Sequence, residues 1–173
     1  MKKLVLVIAI VFAGMMSANA QVWVGGSASA EFPKGSHAFT ITPEVGYMIP
    51  KTPFTIAAGL RYTHGYDTIN GASNTMVLSP YFRYAPCTIA EKFILFLDLT
   101  GDFGLMDAKG AYCVGLQPGI AWMATEKFTA AFRFAYVEYR HGLNPHDIAT
   151  PTQDGFYANF TLGTPWIGIY YNF

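Results

Sequence analysis

The feature that most constrains this chain is a two-residue alternation that runs from Val22 to the last residue. In the segment 54–62, phenylalanine, isoleucine, alanine, leucine and tyrosine hold every second position, with threonine, alanine, glycine and arginine between them. Successive side chains of a β-strand point to opposite faces, so this period is typical of a strand with one apolar face. No segment shows a convincing 3.6-residue helical period. The chain is therefore predicted to be all-β.

Turn-forming residues divide the alternation into eight predicted strands. Proline, glycine, asparagine and lysine clusters mark the turns, since proline cannot donate to a strand ladder and glycine permits tight turns. The predicted strands cover approximately 22–32, 38–49, 54–66, 75–85, 93–103, 111–123, 128–140 and 157–173.

The last predicted strand contains a conflict of parity. Phe156, Phe160 and Leu162 hold even positions, whereas the apolar residues of the segment 167–173 hold odd ones. Both groups can share one face only if the strand slips by one residue between them. We therefore predict a β-bulge at Gly163–Pro165, where glycine and proline are tolerated.

The apolar face of these strands is predicted to meet lipid. Hydrophobic residues make up 52% of the chain and charged residues only 13%, yet no apolar run reaches the roughly 18 residues of a spanning helix. Outward aromatic residues collect near the strand ends and aliphatic residues lie between, which is typical of a membrane barrel. The girdle at one end comprises Tyr47, Phe54, Tyr84, Phe93, Trp122, Phe128 and Phe173, and the opposite end carries Phe32, Phe39, Tyr62, Phe103, Tyr112 and Tyr136.

The first 20 residues have the pattern of a cleaved signal peptide. Lys2 and Lys3 precede an apolar run from Leu4 to Met16, and small residues follow up to Ala20. Because Gln21 rather than cysteine follows, a lipoprotein is not expected. We divide the chain into a signal peptide, 1–20, and an eight-stranded antiparallel up-and-down transmembrane β-barrel, 21–173.

Three segments resemble the small outer-membrane β-barrel proteins of the OmpA/OmpX type, particularly single-domain versions from Bacteroidetes. They are Leu78–Tyr84, Gln117–Trp122 and Gly168–Phe173. The resemblance covers the whole predicted barrel and implies location in the cell outer membrane. It also implies insertion by the outer-membrane assembly machinery, with Tyr171 and Phe173 as the assembly signal. The short loops, and the lack of a peptidoglycan-binding segment in the sequence, depart from OmpA itself, so wall anchoring is not carried over.

Single charged residues on the inward face predict a charge network in the lumen. An eight-stranded barrel is only wide enough for side chains to fill it, and charges buried there must pair. One interpretation is a network that plugs the lumen, and the alternative is a gate that admits small ions. The predicted network is Glu44, Arg61, Arg83, Asp98 and Arg133, with Asp102 and Glu31 nearer the outer rim.

The cysteines and histidines offer weaker signals. Cys87 and Cys113 fall near opposite ends of the predicted barrel, so no bond within one molecule is expected. The histidines map to one rim and could converge on a metal, although their spacing is not a known ligand motif and ordinary tolerance in a polar rim explains them too. They are His37, His64, His141 and His146.

Several function classes follow from this reading. A structural or interaction barrel of the envelope, monomeric and without a cofactor, is the first. A narrow pore is the second, and a lipid A-modifying enzyme built on Ser36–His37 or on Glu138 with His141 is a weaker third. A soluble lipocalin-like carrier needs an apolar lumen and a polar exterior, which is the reverse of the alternation in this sequence. The formal net charge of zero gives no footprint for nucleic acid.

Overall fold

A computed structural model describes residues 21–31, 36–67, 71–105, 108–143, 153–160 and 166–173. The predicted signal peptide, Phe32 and His146 lie outside these ranges. The described residues form ten β-strands. Their bounds are β1 Val22–Glu31, β2 Ser36–Met48, β3 Phe54–Asp67, β4 Gly71–Ile89, β5 Phe93–Leu105, β6 Tyr112–Met123, β7 Phe128–Arg133, β8 Tyr136–His141, β9 Gly155–Asn159 and β10 Trp166–Asn172.

These strands close into an antiparallel barrel of eight wall positions. Strands β1 to β6 pair in sequence order, β7 and β8 both pair with β6, and β10 pairs with β7 while β9 pairs with β8. The seventh wall strand is thus β7 followed by β8, and the eighth is β9 followed by β10. Strand β10 closes the ring against β1, with Trp23 opposite Asn172 and Ser27 opposite Gly168. The predicted eight-stranded up-and-down barrel is confirmed.

The two faces of the wall differ as the alternation predicts. Ile56 is 54% exposed on the outside, whereas Thr63 on the inside of the same strand is 2% exposed. The same contrast holds along β2 to β6. Val22 is an exception, because it was expected outside but is only 4% exposed. It lies opposite Tyr47, and its carbonyl accepts the backbone N–H of Phe173, so neighbouring chain covers it.

The fourth strand is longer than predicted. It starts at Gly71 and continues through Pro86 to Ile89, so the turn expected from Pro86 is confined to residues 90–92. A bulge between Tyr84 and Cys87 absorbs the proline, which lacks the N–H that a regular ladder needs.

The seventh wall strand is interrupted between β7 and β8. On the seventh, Arg133 lies opposite Gly119 and Val137 opposite Leu116, so one extra residue is inserted. This shift turns Tyr136 inward, and its predicted place in the outer aromatic girdle is wrong. The alternation alone gave no sign of the bulge, because Phe134 and Tyr136 continue the apolar parity of β7.

On the eighth wall strand the predicted change of parity is confirmed. Phe156 and Phe160 are 83% and 75% exposed, and Ile167 and Ile169 are exposed as well. Both the even and the odd group therefore face outward. The expected bulge at Gly163–Pro165 lies outside the described residues.

The described part of the chain holds no helix with the length and apolarity needed to cross a bilayer.

Candidate functional site

The side chains of all four arginines of the chain lie inside the barrel. Each lies on an inward position of a different strand and is largely buried, and four buried carboxylates face them. Arginine suits such a site because its planar guanidinium stays charged and binds carboxylates in two-point fashion. The arginines are Arg61, Arg83, Arg133 and Arg140, and the carboxylates are Glu44, Asp98, Asp102 and Glu138.

Asp98 on β5 is the centre of the inner group. Its side chain is fully buried, and Arg83 donates to both of its oxygens, at 2.7 and 2.8 Å. Arg133 donates to Oδ2 from the opposite side at 2.9 Å. The Arg83 guanidinium also lies 3.8 Å above the ring of Phe96. One carboxylate therefore holds together three wall strands, β4, β5 and β7.

Glu44 on β2 extends this group across the lumen. Its Oε2 accepts the hydroxyl of Tyr81 at 2.7 Å and that of Tyr170 at 3.3 Å, and it lies 3.6 Å from Arg133. Two tyrosine hydroxyls and one guanidinium thus satisfy a carboxylate that is 6% exposed. The sequence predicted the charges but not the tyrosines, which were assigned to the inward face without a role.

Arg61, which was predicted as part of the same network, pairs with Asp102. It lies 3.4 Å from Asp102, whose carboxylate also accepts the hydroxyl of Ser79. The indole of Trp166 covers the guanidinium at 4.5 Å. Asp102, expected near the outer rim, is therefore an acidic partner of Arg61.

Sequence reasoning missed a third group on β8. The Nε of Arg140 lies 2.5 Å from Oε1 of Glu138, and the guanidinium packs 4.2 Å over the ring of Tyr157. The buried thiol of Cys113 lies beside Glu138. The i, i+2 spacing of Glu138 and Arg140 was a usable signal, since it places both on one face. It was overlooked because the parity of β7 was extended through the bulge.

Aromatic side chains fill the lumen toward the chain termini. Trp23 meets Tyr170 edge-on, with ring centroids 4.7 Å apart, and Tyr81 and Phe96 complete the cluster. Glycines at inward positions leave the space that these rings occupy. A Cβ atom at Gly46 would fall on the indole of Trp23.

A smaller apolar cluster lies at the other end of the lumen. Val77, Cys113 and Leu143 are each at most 5% exposed and pack together. Leu143 follows β8, so the chain turns inward there after leaving the wall.

The histidines occupy separate places on the rim. His37 stacks on Tyr66, His64 contacts Asn74 at 2.9 Å, and His141 contacts Asp154 at 2.6 Å. Across the described residues, no three histidine, cysteine or acidic side chains lie close enough together to hold a metal ion.

Of the side-chain pairs considered for catalysis, Glu138 and His141 separate in the fold. Glu138 faces the lumen and pairs with Arg140, whereas His141 points to the other face and contacts Asp154. The imidazole of His37 stacks on the ring of Tyr66. The side chains of Ser36 and Glu31 lie outside the described part of the structure.

The predicted aromatic girdle surrounds the end of the barrel that carries the short turns. Phe54 packs on Tyr84 with centroids 5.3 Å apart, Phe93 pairs with Trp122, and Tyr171 contacts Phe128 and Phe173. The seven side chains of the set, Tyr47, Phe54, Tyr84, Phe93, Trp122, Phe128 and Phe173, are all exposed or half-buried on the outer face.

Cys87 and Cys113 form no disulfide with each other, in line with the prediction that they lie toward opposite ends of the barrel. Cys87 is exposed near the turn at 90–92, and Cys113 is buried toward the other end of the lumen.

The geometry defines a closed antiparallel eight-stranded barrel with an apolar exterior and a charged interior, which fits a small membrane barrel. No protein-family model matches the chain, and no curated protein matches it significantly. The fold and the interior therefore carry the functional argument.

Proposed function

We propose that this protein is an integral outer-membrane β-barrel of the small OmpA/OmpX-like kind. The observation that carries the proposal is a continuous apolar belt on the outside of the barrel combined with buried ion pairs inside it. Exposed aliphatic side chains cover the middle of the wall, among them Leu78, Leu97, Leu99, Leu116 and Ile169, each at least 38% exposed. A protein surrounded by water rarely leaves so large an apolar surface uncovered.

The predicted signal peptide and the aromatic girdle support the same location. Aromatic residues prefer the interface between lipid and water, and here they circle the end of the wall that holds the short turns. Fractionation of expressing cells tests the proposal. The barrel is expected with outer membranes after carbonate washing, and recovery in the soluble fraction would favour a carrier instead.

We further propose that the lumen is filled, so that the barrel serves as a structural or interaction element of the envelope. Side chains from opposite walls meet at successive levels of the lumen: the Trp23–Tyr170 cluster, the Asp98 ion pairs, the Arg61–Asp102 pair and the Leu143 cluster. An eight-stranded barrel has room for little besides such side chains.

Planar-bilayer recording tests the filled lumen. The wild type is expected to give no steady single-channel conductance. Glu44→Ala removes the partner of Tyr81, Tyr170 and Arg133, and it is the variant chosen to open the lumen. Stable openings of the wild type would favour the narrow pore. Gentle cross-linking in outer membranes followed by mass spectrometry then tests for an envelope protein partner, and size measurement in detergent tests the expected monomer.

A further inference from the structure

A polar cavity of about 30 Å³ lies in the middle of the lumen. Both ion-pair groups line it, with Glu44 and Arg133 from one group and Arg61 and Asp102 from the other. The remaining lining is mostly hydroxyl, amide and indole, and includes Thr42. The cavity therefore offers hydrogen-bond donors and acceptors in the same small space.

The hydroxyl of Thr42 is the first sign of a ligand there. Thr42 is 3% exposed, and its Oγ1 has no hydrogen-bond partner among the described residues. The neighbouring inward threonine of β2, Thr40, shares a 2.9 Å hydrogen bond with Thr63. A buried hydroxyl without a partner destabilises the folded state, so nearly all such groups in folded proteins are satisfied by protein or by ordered water.

The two ion pairs beside the cavity are the second sign. Arg133 and Glu44 are 3.6 Å apart, and Arg61 and Asp102 are 3.4 Å apart. The Arg83–Asp98 pair, by contrast, closes to 2.7 Å. Charge-assisted hydrogen bonds are usually about 2.7–2.9 Å, so both pairs are longer than a close ion pair and leave their polar atoms able to accept a further hydrogen-bond partner from the cavity.

We propose that this cavity is a binding site for one or two ordered water molecules. A water site needs roughly 10–15 Å³ and two to four polar partners, and the cavity meets both requirements. Water can accept from a guanidinium while exchanging a hydrogen bond with Thr42 and donating to the Glu44 or Asp102 carboxylate. The two arginines and two carboxylates balance, so a lone anion or cation would leave the site with an unpaired charge.

This site goes beyond the proposed envelope role, because it concerns how the two halves of the lumen are joined. Water there links the Asp98 group to the Arg61–Asp102 pair. The inference depends only on the folded barrel, and it stands or falls separately from the outer-membrane location.

Thr42→Val tests the water through the sign of a stability change. If water binds the hydroxyl, the variant deprives that water of a partner, and the urea midpoint of the refolded barrel falls. If the cavity is dry, the variant removes an unsatisfied polar group and the midpoint rises or stays unchanged, which would overturn the proposal. Thr40→Val is the matched control, because it loses the bond to Thr63 and must lower the midpoint in either case.

Two measurements on the wild type keep the test independent of the variant. Nuclear Overhauser effects between Thr42 and a slowly exchanging water are expected, and their absence would refute the site. The urea midpoint is also compared in sodium chloride and sodium gluconate at equal ionic strength. Equal midpoints support water, whereas stabilisation by chloride that Thr42→Val abolishes would replace water with an anion.

Discussion

Asp98 shows how one residue can organise the interior of a narrow barrel. Its carboxylate is fully buried and has two arginine partners, Arg83 on the neighbouring strand β4 and Arg133 on β7, which lies beyond β6. Taking charges out of water is costly, and only close pairing with further hydrogen bonds compensates for it. These ion pairs therefore stabilise the barrel only while Asp98 and both arginines are present.

Asp98→Asn is expected to lower the free energy of unfolding by about 3–5 kcal/mol, because it leaves two buried guanidinium groups without their carboxylate. Urea titration in lipid vesicles, monitored through the fluorescence of the three tryptophans, measures the change in unfolding free energy. Glu126→Gln in an exposed turn is the control and should leave the midpoint in place. An unchanged midpoint for Asp98→Asn would mean that the network does not stabilise the barrel.

Gly46 affects how tightly the side chains pack inside the lumen. The indole of Trp23 lies where a Cβ atom at Gly46 would be, so Gly46→Ala must displace a packed ring. The expected loss is about 1–3 kcal/mol, typical of an overpacked core. Gly65→Ala is the matched control in a neighbouring strand, since its Cβ would meet only the hydroxyl of Ser73 at 3.2 Å. Equal effects of the two variants in the urea titration would contradict this account.

At the scale of the elements, the turn between β4 and β5 carries local strain. Ala90 and Glu91 both have positive φ, at 49° and 61°, in a region that costs an L-residue roughly 1–2 kcal/mol. Ala90 and Glu91 are the central residues of a β-turn in which the Lys92 N–H donates to the Ile89 carbonyl, and turns with positive φ at both central positions favour glycine at the second.

Glu91→Gly is therefore expected to stabilise the barrel by roughly 0.5–1 kcal/mol, the relieved strain less the added entropy of the unfolded chain. The urea midpoint should rise. Glu126→Gly, in the turn between β6 and β7, is the comparison, because Glu126 has no positive φ to relieve. A lower midpoint for Glu91→Gly would show that the turn is not strained.

The seventh and eighth wall strands show how far strand geometry can be predicted from the sequence. The even positions of Phe156 and Phe160 against the odd positions of Ile167 and Ile169 announced a change of parity, and both pairs face outward. The bulge after Arg133 gave no such sign, because Tyr136 preserves the apolar alternation while pointing inward. A bulge shows in the pattern only where the residues beyond it contradict the earlier parity.

For the whole molecule, the apolar belt determines which solvent the barrel can tolerate. Leu99 lies at the middle of β5, opposite Leu116, and is 49% exposed. A charge at that height would meet hydrocarbon if the barrel spans a bilayer, and water if it does not.

Leu99→Lys is expected to reduce the unfolding free energy in lipid vesicles by about 2–4 kcal/mol, as for a lysine at the bilayer midplane. Reversible urea unfolding in the vesicles measures the difference from the wild type. Glu126→Lys, which places the same side chain in a turn, should be tolerated. If Leu99→Lys were as stable as the wild type, the wall would not face lipid.

The sequence alone determined the number of wall positions in the barrel and the facing of most described side chains. Those properties depend on the two-residue period, which is local and survives in the linear chain. It also predicted that the inward charges pair. Only the tertiary structure decided which charges meet: Arg133 reaches Asp98 and Glu44, while Arg61 reaches Asp102. Such partners come from strands far apart in the chain, and the stagger of the closed barrel and its bulges set their relative heights.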